Sequence, residues 1–116
     1  CFLGVTFKAN TDDMRDSSCL TMIPSLIKKG ALINYFDPTG EKDELKKMKN
    51  VNFSQDINSA IEASDLIIIH TEWNDFKSIN FKKAVQNKNF TIFDMRNIYS
   101  SAKMKYQKIK YFAIGC

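Results

Sequence analysis

The residues best suited to chemistry lie in one stretch near the beginning of the chain, GVTFKANTDDMRDSS. Lys8 carries a point charge that suits a phosphate or a sugar oxygen, and Arg15 offers a planar fork that matches a phosphate bidentately. Ser17 and Ser18 follow, where a helix cap or an anion-binding turn would lie. The same spacing also fits a structural arrangement, in which Arg15 pairs with a neighbouring aspartate and the serines cap a helix. The pattern indicates an anion site or a local structural cluster, without separating the two.

Three further side chains stand at or just beyond the ends of apolar runs. His70 has no cysteine or acid placed in sequence to make a recognisable catalytic pair, so a structural role is favoured. Trp73 could stack on a base or close the rim of the core, and the core position is favoured. Arg96, in FDMRNIY, is a second candidate anion contact, with a salt bridge to Asp94 or Asp75 as the alternative. Neither GxGxxG nor GxxxxGK occurs, so the chain encodes no dinucleotide fingerprint and no P-loop.

An alternation of strands and helices must position these side chains. Hydrophobic patterning and turn residues predict strands over 1–6, 31–36, 51–54, 65–71, 90–94 and 110–114. Helices are predicted over 17–29, 43–48, 81–86 and 101–106, with a further short helix capped by Asp56. This order is typical of an α/β fold with a doubly wound, mostly parallel, Rossmann-like sheet and helices on both faces. Ligands bind such sheets beyond the carboxyl ends of the strands, where Lys8, His70 and Arg96 are expected to meet.

Local signals refine three of these elements. Pro24 lies inside the first predicted helix and removes the hydrogen bond to the Leu20 carbonyl, so this helix should begin late or bend. Gly30 should end it. The run at 65–71 is continuously apolar in its middle, which predicts a strand covered on both faces.

The composition fits one globular domain of 116 residues, with 44% hydrophobic and 26% charged residues. The net charge is +4, but lysines alternate with acids, which favours solvated faces over a stripe that binds nucleic acid. No apolar run approaches the ~20 residues that span a membrane.

Cys1, Cys19 and Cys116 are widely spaced and His70 is the single histidine, so we expect no metal site and a reduced, cytoplasmic setting. Because the chain starts in an apolar run without Met, we interpret it as a domain excised from a longer protein.

Four segments resemble one known family, in the same order along the chain. They are LGVTFKANTDDMRDS, KKGALINYFDP, SDLIIIHTEWNDF and IFDMRNIY, and together they extend over nearly the whole chain. The chain resembles the carboxyl-terminal domain of the UDP-glucose/GDP-mannose dehydrogenase family. Within that family, FKxNTDDMR is more similar to the members that use UDP-glucose.

The resemblance implies that residues 1–116 are the C-terminal UDP-sugar-binding domain of an enzyme that oxidises UDP-glucose to UDP-glucuronate with NAD. Members of the family hold NAD in an amino-terminal domain and carry a catalytic cysteine in a central region, and both are absent here. The chain alone is therefore expected to be inactive, with the remaining domains of the same dehydrogenase as its partners. The full-length protein is expected to be a homo-oligomer.

The resemblance also assigns roles to individual residues. Phe7 and Lys8 match positions that contact the UDP-sugar, and Arg15 matches an arginine that reaches NAD. Arg96 lies in a segment that contributes an arginine to substrate binding in some members. Cys19 does not match the nucleophile and is expected to be a small buried residue.

A phosphoacceptor signalling module of receiver type is the alternative. Asp12 and Asp13, after the first strand, imitate the acidic pair of such modules. A receiver also needs an acceptor aspartate at the end of the third strand, where FSQ stands at 53–55, and a lysine ending the fifth, where DMR stands at 94–96. A basic nucleic-acid binder, the third option, would show a steep salt dependence and no preference for UDP.

Overall fold

Within residues 1–114, six strands and five helices alternate along the chain. The strands are β1 (Phe2–Leu3), β2 (Ile33–Phe36), β3 (Val51–Phe53), β4 (Leu66–Ile69), β5 (Thr91–Asp94) and β6 (Lys110–Ala113). The helices are α1 (Cys19–Lys28), α2 (Asp43–Lys46), α3 (Ile57–Ile61), α4 (Phe81–Ala84) and α5 (Ser101–Tyr106), with a 3₁₀ turn at Asn74–Phe76 that was not predicted. The computed structural model describes residues 1–114, so the predicted free cysteine at Cys116 lies outside the described residues.

The strands form one sheet in the order β3-β2-β1-β4-β5-β6, and every neighbouring pair is parallel. The chain therefore winds outward from β1 in both directions, which confirms the doubly wound, Rossmann-like α/β fold. The strand order reverses between β1 and β4. In open α/β sheets the crevice beyond the carboxyl ends of such a pair is the usual place for a ligand.

Each face of the sheet carries its own apolar core. On one face, α1 and α2 contribute Cys19, Ile23 and Leu45 to the core. On the other face, α3, α4 and α5 contribute Ile61, Phe81 and Met104, among others. Helices on both faces are thus confirmed. The Cα radius of gyration is 13.4 Å, close to the roughly 13 Å of a compact domain of about this length. Within residues 1–114, none of the helices combines the length and apolar character that crossing a bilayer requires.

Two strands differ from their predicted extent. β1 ends at Leu3 rather than at residue 6 because Gly4 adopts a φ of +78°, outside the strand region. A Cβ atom at Gly4 would lie 2.5 Å from the Cβ of Thr71, so the backbone here passes very close to the end of β4. β4 was predicted to be covered on both faces. Its last three residues are buried, but Leu66 is exposed, so that prediction was wrong for the start of the strand.

The helix ends follow the local signals. α1 begins at Cys19, later than predicted, and continues through Pro24. Gly30, with a φ of +96°, follows its end as expected. The cap predicted at the start of α3 is confirmed, since the Asp56 side chain accepts a hydrogen bond from the Ser59 N–H at 2.7 Å.

Replacing Gly4 by Ala should destabilise the domain more than replacing Gly30 by Ala. Both glycines have positive φ, which costs an L-residue about 1–2 kcal/mol. Only at Gly4 does the added methyl group meet another residue, and overpacking of that kind costs a further ~1–3 kcal/mol. Urea unfolding of the two variants measures the difference. Equal losses of unfolding free energy would show that the close approach to Thr71 constrains nothing.

Candidate functional site

The β1–α1 loop, residues 4–18, contains no helix or strand and is held by the ends of other strands. The Asp37 carboxylate, just after β2, accepts a hydrogen bond from the Val5 N–H at 2.9 Å. The Thr71 hydroxyl, just after β4, donates to the Thr6 carbonyl at 2.9 Å. Val5 and Thr6 are buried, and buried backbone groups outside regular structure must find partners elsewhere. The path of the loop is therefore set by residues distant in sequence.

Arg96, just after β5, makes a third connection to this loop. Its Nε donates to the His70 carbonyl at 2.8 Å and its Nη2 donates to the Phe7 carbonyl at 3.3 Å. Among residues 1–114, no ion pair joins the Arg96 side chain to Asp94 or Asp75, so the predicted salt-bridge alternative was wrong. The arginine instead uses its charge on two main-chain carbonyls, and it links the ends of β4 and β5 to the loop.

Lys8 and Arg15 stand on the exposed side of the loop. The Arg15 side chain is 89% exposed and forms an ion pair with Asp13, with Nε–Oδ1 and Nη2–Oδ2 distances of 3.1 Å each. The hydrogen bonds from Arg15 lower the pKa of Asp13, and the charge of Lys8 acts in the same direction. The pairing of Arg15 with an aspartate is thus confirmed. Lys8 and Arg15 are both exposed on this loop.

The two serines after Arg15 serve the structure of the loop. Ser18 occupies the N-cap position of α1, but its side chain makes no capping bond; its hydroxyl lies 2.7 Å from His70 Nε2 instead. Ser17 donates to the Val5 carbonyl at 2.5 Å and accepts from the Cys19 N–H at 3.3 Å. The capping prediction was therefore wrong for Ser18, and both hydroxyls are engaged within the protein.

His70 is buried beneath the loop and both of its ring nitrogens are hydrogen bonded. Nε2 faces Ser18, and Nδ1 lies 3.0 Å from the Thr71 hydroxyl. Burial lowers the pKa of His70 to about 4, and the positive charge of Arg96 adds to the shift. The imidazole is therefore neutral at pH 7. The structural role predicted for His70 is confirmed.

Trp73 and Cys19 also belong to the core. Trp73 packs into the core under α3–α5, as predicted, and its buried indole N–H has no hydrogen-bond partner within the described part of the chain. Burial raises the pKa of the Cys19 thiol to about 12, so this cysteine is protonated and unreactive at neutral pH, as expected. Residues 1–114 contain no group of three His, Cys, Asp or Glu side chains placed to hold a metal ion.

The cations of the loop stand at an open edge rather than inside a cavity. One hollow of about 620 Å³ is lined by residues between α3 and α4, including Ile57 and Asp75. A second, of about 600 Å³, lies at the opposite end of the sheet and is lined by Leu26, Asn50 and Leu66, among others. None of the loop residues lines either hollow. The exposed side chains of Lys8 and Arg15 can attract an anion at this edge.

Comparison with known proteins assigns the chain to a family. The sequence model of the UDP-glucose/GDP-mannose dehydrogenase family, UDP binding domain, matches residues 1–101. The chain belongs to this family. The UDP-glucose 6-dehydrogenase of Rhizobium meliloti (strain 1021) is 34% identical over 114 residues, covering 97% of this chain and 26% of the relative. That of Rickettsia prowazekii (strain Madrid E) is 37% identical over 117 residues, covering 97% and 27%. The chain thus spans about a quarter of the length of these curated relatives.

Solved structures show the same fold. A UDP-D-ManNAc dehydrogenase from Pyrococcus horikoshii superposes with a TM-score of 0.71 at 25% identity, over 98% of this chain and 24% of that chain. A UDP-glucose dehydrogenase from Pyrobaculum islandicum gives a TM-score of 0.72 at 22% identity, over 96% and 24%. At that identity the second comparison supports the fold alone.

The receiver alternative is not supported for this member of the UDP-glucose/GDP-mannose dehydrogenase family. Receivers have the five-stranded, flavodoxin-like strand order 2-1-3-4-5. The sheet here has six strands in the order 3-2-1-4-5-6. No aspartate ends β3, where Ser54 and Gln55 follow the strand. The pair at Asp12 and Asp13 belongs to the β1–α1 loop of a UDP-binding domain.

Sequence reasoning missed two residues that shape the site, Asp37 and Asp94. Both are buried carboxylates at the carboxyl ends of strands. The Asp94 carboxylate accepts hydrogen bonds from the N–H groups of Arg96, Ile98 and Tyr99 and from the hydroxyl of Tyr111. The sequence did contain a signal for both residues. At the end of each strand a phenylalanine is followed directly by an aspartate, in YFDP and in IFDM. An acid that directly follows an apolar strand organises the next turn in both cases.

Replacing His70 by Gln should weaken the acid sensitivity of the domain. The folded-state pKa of His70 lies near 4, below its ordinary value of 6.5, so at pH 7 the residue is neutral in both the folded and the unfolded chain. As the pH falls below 6.5, the unfolded chain takes up a proton that the folded domain excludes. The wild type should lose up to about 3 kcal/mol of stability by pH 4 through this residue.

Urea unfolding of wild type and His70→Gln between pH 7 and pH 4 measures this effect. The Gln amide oxygen can accept a hydrogen bond from the Ser18 hydroxyl, as Nε2 does, but Gln does not titrate. The carboxylates titrate alike in both proteins, so the difference between the two curves isolates His70. Parallel curves would contradict the prediction.

Proposed function

We propose that this chain is the C-terminal UDP-sugar-binding domain of an NAD-dependent UDP-glucose 6-dehydrogenase, which oxidises UDP-glucose to UDP-glucuronate. One observation carries the proposal. The β1–α1 loop presents Lys8 and Arg15, both exposed, beside the point where the strand order of the sheet reverses. The curated relatives that match nearly all of the chain bear the name of this enzyme, which supports UDP-glucose over other sugar nucleotides.

Phe7 and Lys8 are the proposed contacts of the sugar nucleotide. Both side chains are exposed, whereas the main chain beneath them is held: the Phe7 carbonyl accepts from Arg96, and the Lys8 carbonyl accepts from the Thr6 hydroxyl at 2.9 Å. A cation on a backbone that is already ordered loses less entropy when it binds an anion. This arrangement suits a site for a diphosphate.

Arg96 is the proposed third contact with the substrate. A guanidinium group has five N–H donors, and the carbonyls of His70 and Phe7 engage two of them. Nη2 contacts the carbonyl of Phe7, the residue directly before Lys8 in the chain. Arg96 would therefore add positive charge to the edge at which Lys8 stands.

Arg15 is the proposed contact with NAD. Its side chain is 89% exposed in the ion pair with the half-buried Asp13, and ion pairs that are open to water contribute little to stability. Exchange of the Asp13 carboxylate for a phosphate of the cofactor therefore costs little, and the planar fork suits that group. NAD accepts the hydride when it is bound. The chain lacks GxGxxG, so other parts of the full-length enzyme must hold most of the cofactor.

Cations that stand exposed at the edge of a sheet form only part of a binding site. We propose that the remaining domains of the same dehydrogenase close this edge over UDP-glucose and supply the catalytic cysteine. The domain alone is then inactive, because Cys19 is buried and protonated. A homo-oligomeric full-length enzyme, a cytoplasmic location and the absence of nucleic-acid binding stay predictions.

Replacing Lys8 by Ala in the full-length enzyme should raise the Kd for UDP-glucose about 10- to 100-fold, the value of one lost charge-assisted hydrogen bond. Isothermal titration with UDP and with UDP-glucose measures the loss. Lys105→Ala is the matched control, since Lys105 is an exposed lysine on α5. Unchanged binding in Lys8→Ala would remove this residue from the site.

Replacing Arg15 by Ala should instead act through the cofactor. The KM for NAD should rise about 10-fold, since the lost contact is exposed, while the KM for UDP-glucose stays within about twofold. Asp13→Asn is the control, because it breaks the same ion pair but keeps the arginine. A rise in both variants would show that the pair orders the loop, and a rise in neither would defeat the assignment.

A further inference from the structure

One half of one sheet face is left open. Side chains alternate along β5 and β6, so Ile92 and Tyr111 point into the core under α3–α5, while Phe93 and Phe112 point to the opposite side. On that opposite side, α1 and α2 pack against β1, β2 and β4, including Ile68. Within residues 1–114, no element buries Phe93 or Phe112.

Four apolar side chains make up this open area, which we call the β4–β6 stripe. Their exposed fractions are 39% for Leu66, 37% for Phe93, 62% for Phe112 and 48% for Ile114. Phe93 and Phe112 are register partners, and Phe93 is also the register partner of the buried Ile68. The stripe therefore continues the α1-side core outward to the edge of the sheet. Leaving such side chains in water forgoes about 25 cal/mol for each Å² of apolar surface.

We propose that the β4–β6 stripe is the docking surface for an amphipathic helix from the rest of the dehydrogenase polypeptide. This inference rests on the proposed function, since it requires a full-length enzyme of which this domain is one part. The chain spans about a quarter of its curated relatives, so a corresponding enzyme has ample further chain to supply the helix.

The dimensions of the stripe fit one helix. Neighbouring strands lie ~4.8 Å apart, so β4 to β6 span about 10 Å, the diameter of a helix with its side chains. α1 lies next to the stripe on the same face, and a second helix there would pack beside it at the usual 8–10 Å. The two faces would then carry three helices each, counting α1, α2 and the docked helix against α3, α4 and α5.

The position of the stripe favours a segment that joins the domain at Cys1. The hollow of about 600 Å³ that is lined by Leu26 and Leu66 also includes Cys1 and Phe2 in its wall. Leu66 therefore belongs both to the stripe and to the surroundings of Cys1. Polypeptide arriving at β1 from preceding domains would pass along this hollow and reach the stripe.

The size of the stripe argues against a second copy of the chain as its occupant. Aromatic side chains bury about 150–250 Å² each, so the exposed fractions amount to a few hundred Å². A stable interface between separate chains needs about 800 Å² from each partner. A helix in the same polypeptide meets the stripe at high effective concentration, so a smaller contact holds it.

Photo-crosslinking in the full-length enzyme tests the proposal. The photoreactive residue p-benzoylphenylalanine replaces Phe112 in one protein and Phe93 in a second. It replaces Tyr106, which is 89% exposed on α5, in the control. Irradiation should give a crosslink at Phe112 and Phe93 that keeps the mass of one chain on a denaturing gel. Mass spectrometry should place its other end in the polypeptide that precedes Cys1, with a yield several-fold above that of the Tyr106 control.

Three results would overturn the proposal. A crosslink of dimer mass would assign the stripe to contacts between subunits. A yield at Phe112 and Phe93 no higher than at Tyr106 would show that the stripe is open to water. A single-chain crosslink that ends within residues 1–116 would show that this domain covers the stripe by itself. None of these measurements uses UDP-glucose or NAD, so a failure here is distinct from a failure of the Lys8 and Arg15 variants.

Discussion

The hydrogen bonds that reach the β1–α1 loop from outside are the interactions on which the candidate site depends. The loop contains no helix or strand that would pair its backbone groups regularly. Its buried N–H and C=O groups cost free energy unless they are paired. Asp37, Thr71 and Arg96 supply three of the pairs from three different strand ends. Because the loop is bound to the sheet at several points, the cations on it are presented in a defined place.

The buried and exposed charges of this edge have different tasks. Asp94 is fully buried and accepts three N–H groups and one hydroxyl, which is how a carboxylate is kept in an apolar surrounding. Arg96 donates hydrogen bonds to the carbonyls of His70 and Phe7 and so holds the backbone in place. Lys8 and Arg15 remain exposed and able to exchange partners. Asp94 and Arg96 thus hold the backbone of this edge in place, while Lys8 and Arg15 present exposed positive charge.

Two features of the domain fit the proposal that it is one part of a larger enzyme. Lys8 and Arg15 are exposed at the edge of the sheet, and electrostatic interactions are weak when water screens them. The β4–β6 stripe exposes four apolar side chains on one face of the sheet, and apolar patches of this size are often functional. Membership of the UDP-glucose/GDP-mannose dehydrogenase family, with about a quarter of the relatives' length represented, agrees with both features. Neighbouring domains would close the edge and cover the face.

The sequence by itself determined the order of the elements, the class of the fold and the family. Apolar periodicity, glycines and caps are local signals, so Gly30 and Asp56 were predicted correctly, and the family motifs are contiguous strings. Only the tertiary structure decided where β1 ends, what Arg96 binds and which face of β5 is open. Arg96 meets a carbonyl 89 positions away, and that neighbour exists only once parallel strands align in register. Contacts between distant residues leave no periodic trace in the chain, which is why spacing alone did not reveal them.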